Sequence, residues 1–414
     1  MPPQTALVTS RRTSRRADRR RTAGRDDRSG TAARPPRRRG GRLGLVLSLT
    51  LALCVAGLAG CAGEPSSGSS DPSSGAADAA GGTGASGSGA SRAADAGPTP
   101  TTPAVTRPTQ ATVTVYGPDV DAPGALLPMV VTAHGTTEQE GVEFAVAVAG
   151  QAGTCEGPKW RHADGLSQKC WVTLPAAPGK TQVTATARLS GPGWVAQAAG
   201  GTYGVAATGP PAIAPSREER DRTRRCGNTT DEVWLTFDDG FESAAALHAV
   251  VDRLTAAGVR GRFFAVGTWA RSNPALVAEI RRQGHLVENH SGSHQWLNTL
   301  GDAALRTEIA NGPAADEPRL LRPGYGGGVF TNRVRDAAAE LGLGLCFWTV
   351  DPRDWAGPTA DVITSRVLVG DAKTPPVAAG GIVLFHMTGA HTAEALPRVI
   401  EGIRAKGLTL AALR

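Results

Sequence analysis

After Cys226 the chain repeats one unit, a short apolar run followed by a segment of helical periodicity. That order constrains the fold more than any other feature. Strands that are apolar throughout and separated by helices pair in parallel, with helices covering the sheet. "EVWLTF", "RFFAV", "HLVEN", "RLLR", "LCFWTV" and "GIVLF" read as the strands. Leu247, Val250, Val251 and Leu254 fall at i, i+3, i+4 and i+7, one helical stripe that stops at Gly258. Pro274 opens a helix through Gln283, and residues 331–341, 359–369 and 392–405 read as further helices. The count predicts a barrel of about seven or eight β/α units, in which chemistry gathers at strand C-terminal ends.

A different pattern precedes this half. Across residues 111–210, "TVTVY", "VEFAVAV" and "TQVTATARL" alternate apolar and polar side chains, and Gly and Pro punctuate the joins. Such spacing predicts a small all-β sandwich of Ig-like topology. Its Trp160, Trp171, Trp194 and Tyr203 could form a sugar-stacking surface, but core and rim positions are the expected reading. His134 and His162 are expected to be structural. Residues 211–230 form a charged connector, in which "SREERDRTRRC" reads as a solvated helical turn or loop. Residues 61–110 are Gly, Ser, Ala, Pro and Thr with few apolar side chains, too few to offset the entropy of ordering. They read as a disordered tether with a stiffer Pro-Thr end.

The formal charge of +7 suggests an anionic partner, and the location of that charge argues against nucleic acid. The first 42 residues hold 14 Arg, no Lys and 3 Asp, which is +11; residues 43–60 carry none, so the remainder is 7 − 11 = −4. A nucleic-acid binder keeps its basic surface on the folded domain. Here the arginines precede "LGLVLSLTLALCVAGLAGC", short beside the ~20 residues of a membrane span and suited to a signal h-region. Residues 1–60 therefore read as an export signal segment. Its end, Leu58-Ala59-Gly60-Cys61, resembles the lipobox of bacterial lipoproteins, which implies cleavage before Cys61 and a lipid anchor on it. An ordinary signal peptide or an uncleaved anchor is the alternative. The expected location is the outer face of the cell membrane, or secretion.

Beyond Cys54 and Cys61 stand Cys155, Cys170, Cys226 and Cys346. An even set in an oxidising compartment permits two disulfides. Cys155 and Cys170 flank one short loop and suggest a pair, which leaves Cys226 and Cys346. None has CxxC or CxxH spacing, so a cysteine zinc site is not expected.

Five polar clusters sit at or just after the predicted strand ends: "TFDDG", "NHSGSH", "RPGYG", "DPRDW" and "IVLFH", the last ending at His386. Asp238 and Asp239 are neighbouring carboxylates that repel unless positive charge stands close. His290 and His294 are i and i+4, which on a helix puts both imidazoles on one face, near enough to share a metal. Two His and one carboxylate with open positions suit a catalytic zinc or similar divalent ion. Each cluster alone has a structural explanation, such as a surface salt bridge, a helix cap or a packed Trp. Five in order, all at strand ends, do not.

On these five motifs, from Glu232 to Arg414, the chain resembles the NodB-homology polysaccharide deacetylases, carbohydrate esterase family four. The resemblance implies a distorted (β/α) barrel over residues 231–414 and a metal-dependent hydrolase acting on N-acetylated sugars, less often on O-acetyl groups. It implies one divalent metal, Zn2+ first with Co2+, Ni2+ or Mn2+ as alternatives, held by Asp239, His290 and His294. Asp238 is then the general base, paired with Arg322, and His386 the general acid, oriented and kept charged by Asp354. The Tyr325 N–H is the oxyanion donor, and Trp355 and Leu384 line the acetyl-methyl pocket.

Three departures from the family pattern stand out. Gly324 replaces the usual second Pro and loosens the loop presenting Tyr325, Met387 follows His386 where Asp is common, and residues 308–322 are short. None removes an essential residue. His391, beyond the fifth motif, reads as a loop His without a role. Peptidoglycan is the expected substrate, since a lipid anchor holds the enzyme near the wall; a chitin-like N-acetylglucosamine polymer is the next choice. The alternatives are an O-acetyl xylan esterase, another small-amide hydrolase, or a non-catalytic wall-binding lipoprotein. A monomer is expected.

Overall fold

Period-two alternation yields strands wherever one face can be buried. The structure, a computed structural model, describes residues 110–192 and 194–413, with the backbone alone for 194–197. The expected signal segment, Cys54, Cys61 and nearly all of the tether lie outside the described residues, as does the Trp194 side chain.

Strands β1 (Thr112–Tyr116), β2 (Val120–Asp121), β3 (Leu126–His134), β4 (Gly141–Val148) and β5 (Gln151–Ala152) are followed by β6 (Thr154–Cys155), β7 (Trp160–His162) and β8 (Gly165–Thr173). A long hairpin of β9 (Gly179–Gly191) and β10 (Trp194–Ala207) completes this part. One sheet runs β1-β3-β8-β6 with β7 also on β8; the other runs β2-β10-β9-β4-β5. Pairing is antiparallel except between β2 and β10. Inward residues of both sheets, including Val113, Leu127, Val131, Val146, Val183 and Leu189, share one core. Cys155 bonds Cys170 across β6 and β8. His134 and His162 are held by the hydroxyls of Thr114 (2.7 Å) and Ser167 (2.9 Å).

Helix α1 (Arg217–Arg224) starts on a capping box formed by Ser216 and Glu219. The expected helical turn is present as α1, but it is not solvated throughout: Arg220 is only 5% exposed. Its guanidinium lies 4.7 Å from the Trp171 ring centroid and pairs with Glu156. Trp160 and Trp171 are both buried, so neither offers a sugar-stacking face.

The alternating half then forms β11 (Trp234–Asp239), α2 (Ala244–Ala256), β12 (Gly261–Ala265), α3 (Gly267–Ser272), α4 (Pro274–Arg282) and β13 (Leu286–Asn289). It continues with α5 (Asp302–Ala310), β14 (Leu320–Leu321), α6 (Asn332–Glu340), β15 (Gly344–Leu345), α7 (Ala360–Leu368), β16 (Ile382–His386) and α8 (Thr392–Ala405). The strands are parallel, in the order β15-β14-β13-β12-β11-β16. Leu247, Val250, Val251 and Leu254 of α2 pack with Leu235, Phe237, Val383 and Phe385 between sheet and helices. Thr236, Asp238, Leu384 and His386 alternate with these along β11 and β16 and therefore point to the opposite face.

The expected barrel of about seven or eight units is corrected to six parallel strands among the described residues. The reason lies in "LCFWTV", of which only Leu345 is in a strand. Residues 346–350 run instead from one sheet edge to the other. The Cys346 N–H donates to Leu321 O (2.9 Å), and the Val350 N–H donates to Ile382 O (3.1 Å). Between them the Phe347 N–H goes to Thr223 O (2.9 Å), at the end of α1, and Cys346 is disulfide-bonded to Cys226. Bonds to the connector replace a regular ladder.

The β sandwich packs against the α/β half. Trp171 joins Val329, Phe330 and Phe347 in one cluster. The Trp160 indole donates to Asp371 O (2.8 Å), Lys169 Nζ to Thr349 O (2.8 Å) and Thr132 Oγ1 to Ala372 O (2.7 Å).

Candidate active site

Parallel strands end together, so their last residues and the loops after them meet on one edge. Asp238 and Asp239 close β11, His386 closes the adjacent β16 as the register partner of Asp238, and His290 follows β13. The two aspartates diverge sharply. Asp238 is buried, while Asp239 has φ +84°, a costly conformation for a residue with a Cβ. That turn aims the Asp239 carboxylate at the histidines.

His290 and His294 do come together, but the expected helix between them is absent, and this is a correction. Residues 290–296 form an irregular loop with φ +63° at Ser291 and +62° at His294. Side-chain acceptors take the N–H groups that a helix would use. Asn289 Oδ1 accepts from the Ser291 N–H (2.8 Å), Glu308 Oε1 from the Ser293 N–H (2.6 Å), and Ser291 Oγ from the His294 N–H (3.2 Å). His290 Nδ1 sits 2.7 Å from Arg322 O. A carbonyl can only accept, so Nδ1 carries the proton and Nε2 presents a lone pair to the site.

Asp239 Oδ1 lies 3.6 Å from His290 Nε2 and 3.5 Å from His294 Nε2, and one donor atom from each residue falls within 4.8 Å of the others. Ligands about 2.0–2.1 Å from a tetrahedral zinc would stand about 3.3–3.4 Å apart. The donor set and its spacing therefore fit one divalent cation. Burial acts to raise the Asp239 carboxyl, but the hydrogen bond and charge of His290, with His386 and His294, bring it down to about 2. Burial holds the His294 imidazole below its ordinary value, which favours the neutral, ligating form.

Asp238 faces a different partner. Arg322, fully buried, donates from Nη1 to Asp238 Oδ1 (2.7 Å) and Thr236 Oγ1 (2.9 Å), and from Nη2 to Phe347 O (3.0 Å). Its guanidinium lies 4.1 Å from the Phe264 ring centroid. His386 Nδ1 bonds Asp354 Oδ1 at 2.8 Å, and Asp354 Oδ2 accepts from the His386 N–H (2.8 Å) and from Thr392 Oγ1. Gly389 permits this approach, since a Cβ there would stand 2.6 Å from Asp354 Oδ2 and 2.1 Å from Thr392 Oγ1. Burial acts to lower the His386 imidazole. The hydrogen bond and charge of Asp354, then Asp238 and Asp239, overcome it and push it up to about 9.

Tyr325 has φ +59° and is 55% exposed; its ring stacks on Trp296 (4.4 Å, 9°) and meets His294 edge-on at 4.4 Å. Leu384 is buried two residues before His386, on the same face of β16. Trp355 follows Asp354 and is 58% exposed, an apolar ring left open to a ligand. The His391 ring pairs with Glu394 in its own turn (3.3 Å).

Sequence reasoning missed Trp296 and Glu308. Glu308 has a readable signal, since Leu305, Glu308 and Ile309 share one buried face of α5. Its carboxylate takes bonds from Ser291, Ser293 N and Ser293 Oγ and so fixes the turn before His294. Glu308→Ala is expected to weaken metal binding by about 10–100-fold, the usual cost of losing support behind a ligand. Titrating zinc into metal-free protein by calorimetry checks this, and an unchanged affinity would remove Glu308 from the site.

The C-terminal edge of this parallel α/β sheet carries two histidines and a carboxylate spaced to hold one cation, a second carboxylate held by Arg, and a His held by Asp. Together these define a hydrolase centre. The polysaccharide deacetylase family matches residues 227–345. The chain is 35% identical over 164 residues to a chitooligosaccharide deacetylase of Bradyrhizobium sp. (strain ANU 289), covering 38% of this chain and 71% of that one. It is 33% identical to a peptidoglycan-N-acetylglucosamine deacetylase of Bacillus cereus, over 42% of this chain and 64% of the relative. It is 30% identical to a chitooligosaccharide deacetylase of Sinorhizobium fredii, over 46% and 93%. The chain belongs to the polysaccharide deacetylase family and is a hydrolase that deacetylates polysaccharides.

Proposed function

We propose that this enzyme removes N-acetyl groups from peptidoglycan or a similar N-acetylglucosamine polymer outside the cell, using one divalent metal, zinc first. The observation that carries the reading is the meeting of Asp239, His290 and His294 beside a separately paired Asp238 and a charged His386. Asp239 and the two histidines would hold the cation, which when bound would polarise the acetyl carbonyl and acidify water. Asp238 takes the proton of the attacking water as the new C–O bond forms. The Tyr325 N–H donates to the oxygen that gains charge. His386 gives its proton to the nitrogen as the C–N bond breaks, so acetate and a free amine leave. Trp355 and Leu384 enclose the methyl group, and an added methylene costs about 1–3 kcal/mol of discrimination.

The proposed organisation is a signal segment at 1–60, a tether at 61–110, an Ig-like domain at 111–210, a connector at 211–230 and the catalytic domain at 231–414. Two packed, mainly antiparallel sheets support the Ig-like reading. The lipobox-like Cys61 supports an anchor on the outer face of the cell membrane, near wall glycan; the protein is proposed to act as a monomer.

The test measures acetate released by the purified protein from peptidoglycan, chitooligosaccharides and acetylated xylan, with and without chelator. Chelator-sensitive acetate from the N-acetylated glycans is expected. Acetate from xylan alone would replace the N-acetyl reading, and none from any of the three would end it.

A further inference from the structure

Gly324 to Gly328 carry Tyr325 past His294, and Tyr325 alone among these five residues is not glycine. Glycine loses more backbone freedom on ordering than any other residue, so such a loop does not hold itself. Its internal bonds are turn bonds, Gly326 N–H to Pro323 O and Gly327 N–H to Gly324 O, both 3.0 Å. The glycines are nonetheless required by close packing. A Cβ on Gly327 would stand 2.9 Å from the Trp296 ring, and one on Gly328 would stand 3.1 Å from Asn298 Cβ.

The next N–H leaves the α/β part altogether. Gly328 donates to Asp121 Oδ1 (3.2 Å), in β2 of the sandwich. Asp121 is 3% exposed, and the Ala122 N–H donates to the same oxygen (2.7 Å), which fixes the carboxyl. The Asn298 amide, buried and without a hydrogen bond among the described residues, lies close enough to act on the Asp121 carboxyl. Asn298 continues the loop that carries His294 and Trp296. One side chain of the sandwich therefore touches both active-site loops. Trp171, edge-on to Phe330 at 5.2 Å, holds the far end of the glycine stretch.

We propose that Asp121 is a positioning residue for deacetylation: from the β sandwich it supplies the rigidity that the glycine loop lacks and keeps the Tyr325 N–H where the oxyanion forms. The inference rests on the reading of Tyr325 given above. It makes the sandwich a working part of the catalytic unit rather than a separate glycan-binding module. It also accounts for the tolerance of Gly324 where the family pattern has proline, since stiffness lost inside the loop is replaced from outside. Burial pushes the Asp121 carboxyl up to about 7 against the bonds from Ala122 and Gly328 and the nearby Asn298 amide. Oδ1 accepts in either protonation state, so asparagine reproduces its shape and its role.

The test compares the full-length protein with Asp121→Asn and Asp121→Ala by amide hydrogen exchange over residues 322–331, zinc per chain, and kinetics on a soluble N-acetylated chitooligosaccharide. In Asp121→Ala the loop amides should exchange about tenfold faster, as for one lost buried hydrogen bond. Turnover should fall about tenfold, part of what full loss of an oxyanion donor costs, with KM and zinc unchanged. Asp121→Asn should restore both exchange and turnover. Unchanged exchange in Asp121→Ala overturns the tether, and faster exchange with unchanged turnover overturns the catalytic role. Should Asp121→Ala fail to fold, Asp121→Ser is judged by the same readouts. Wild-type protein that releases no acetate would instead count against the proposed function, with exchange still deciding the tether.

Discussion

Asp238→Asn is expected to lower turnover by about 10²–10⁴-fold, the range for losing a general base, while bound zinc stays at the wild-type level. The substitution keeps an oxygen for Arg322 Nη1, now 2.7 Å from Asp238 Oδ1, and so preserves the geometry around the buried guanidinium. It removes the lone pair that accepts the proton from water. Asp239→Ala should act differently and lose the metal, because Asp239 Oδ1 stands 3.6 Å and 3.5 Å from the two imidazole nitrogens. Elemental analysis and acetate release on the same preparations separate the two effects. Metal loss of equal size in both variants would contradict the division between ligand and base. His290 Nε2 lies 3.7 Å from Asp238 Oδ2, so the outcome is not decided by distance to one histidine alone. It is decided by Arg322, which occupies Asp238, while among the described residues Asp239 pairs with the two histidines.

Much of this site is legible in the sequence because parallel strands deliver their last residues to one edge. "TFDDG" and "IVLFH" needed no structural knowledge beyond the β/α order, and Asp238 and His386 are register partners. What is not legible depends on contacts distant in the chain. The His290–His294 spacing suggests a helix. Glu308, Asn289 and Ser291 instead supply the acceptors for a turn with two residues at positive φ. "LCFWTV" has the composition of a strand, yet the Cys226 disulfide and the α1 carbonyl hold it across the sheet opening. The tryptophans of the sandwich read as core and rim, and Trp160 and Trp171 are buried; that Trp171 is buried against Val329, Phe330 and Phe347 of the other half is not readable from local pattern. Local pattern gave the residues facing each strand end, and tertiary contacts then chose the loop geometry.

Asp354→Asn should move the alkaline limb of kcat/KM to lower pH and reduce its plateau. His386 must be protonated to act as an acid. With the imidazole pushed up to about 9, the active form is full at neutral pH and is lost as pH rises through that value. Burial alone would pull the imidazole below its ordinary value, and Asp354 supplies the largest opposing contribution. An amide at 354 still bonds but contributes no charge, so the limb should fall by about one pH unit or more, each unit being about 1.4 kcal/mol of lost interaction. Two of the Asp354 bonds, from the His386 N–H and Thr392 Oγ1, fall on Oδ2, so the amide can also turn and misplace the ring. Removal of the acid itself, in His386→Ala, should cost about 10²–10⁴-fold at neutral pH. The leaving group discriminates further: an N-acetyl substrate, whose amine needs the proton, should suffer more in both variants than an O-acetyl ester of the same sugar. Equal losses on the two substrates, with an unshifted limb in Asp354→Asn, would show that His386 does not deliver the proton.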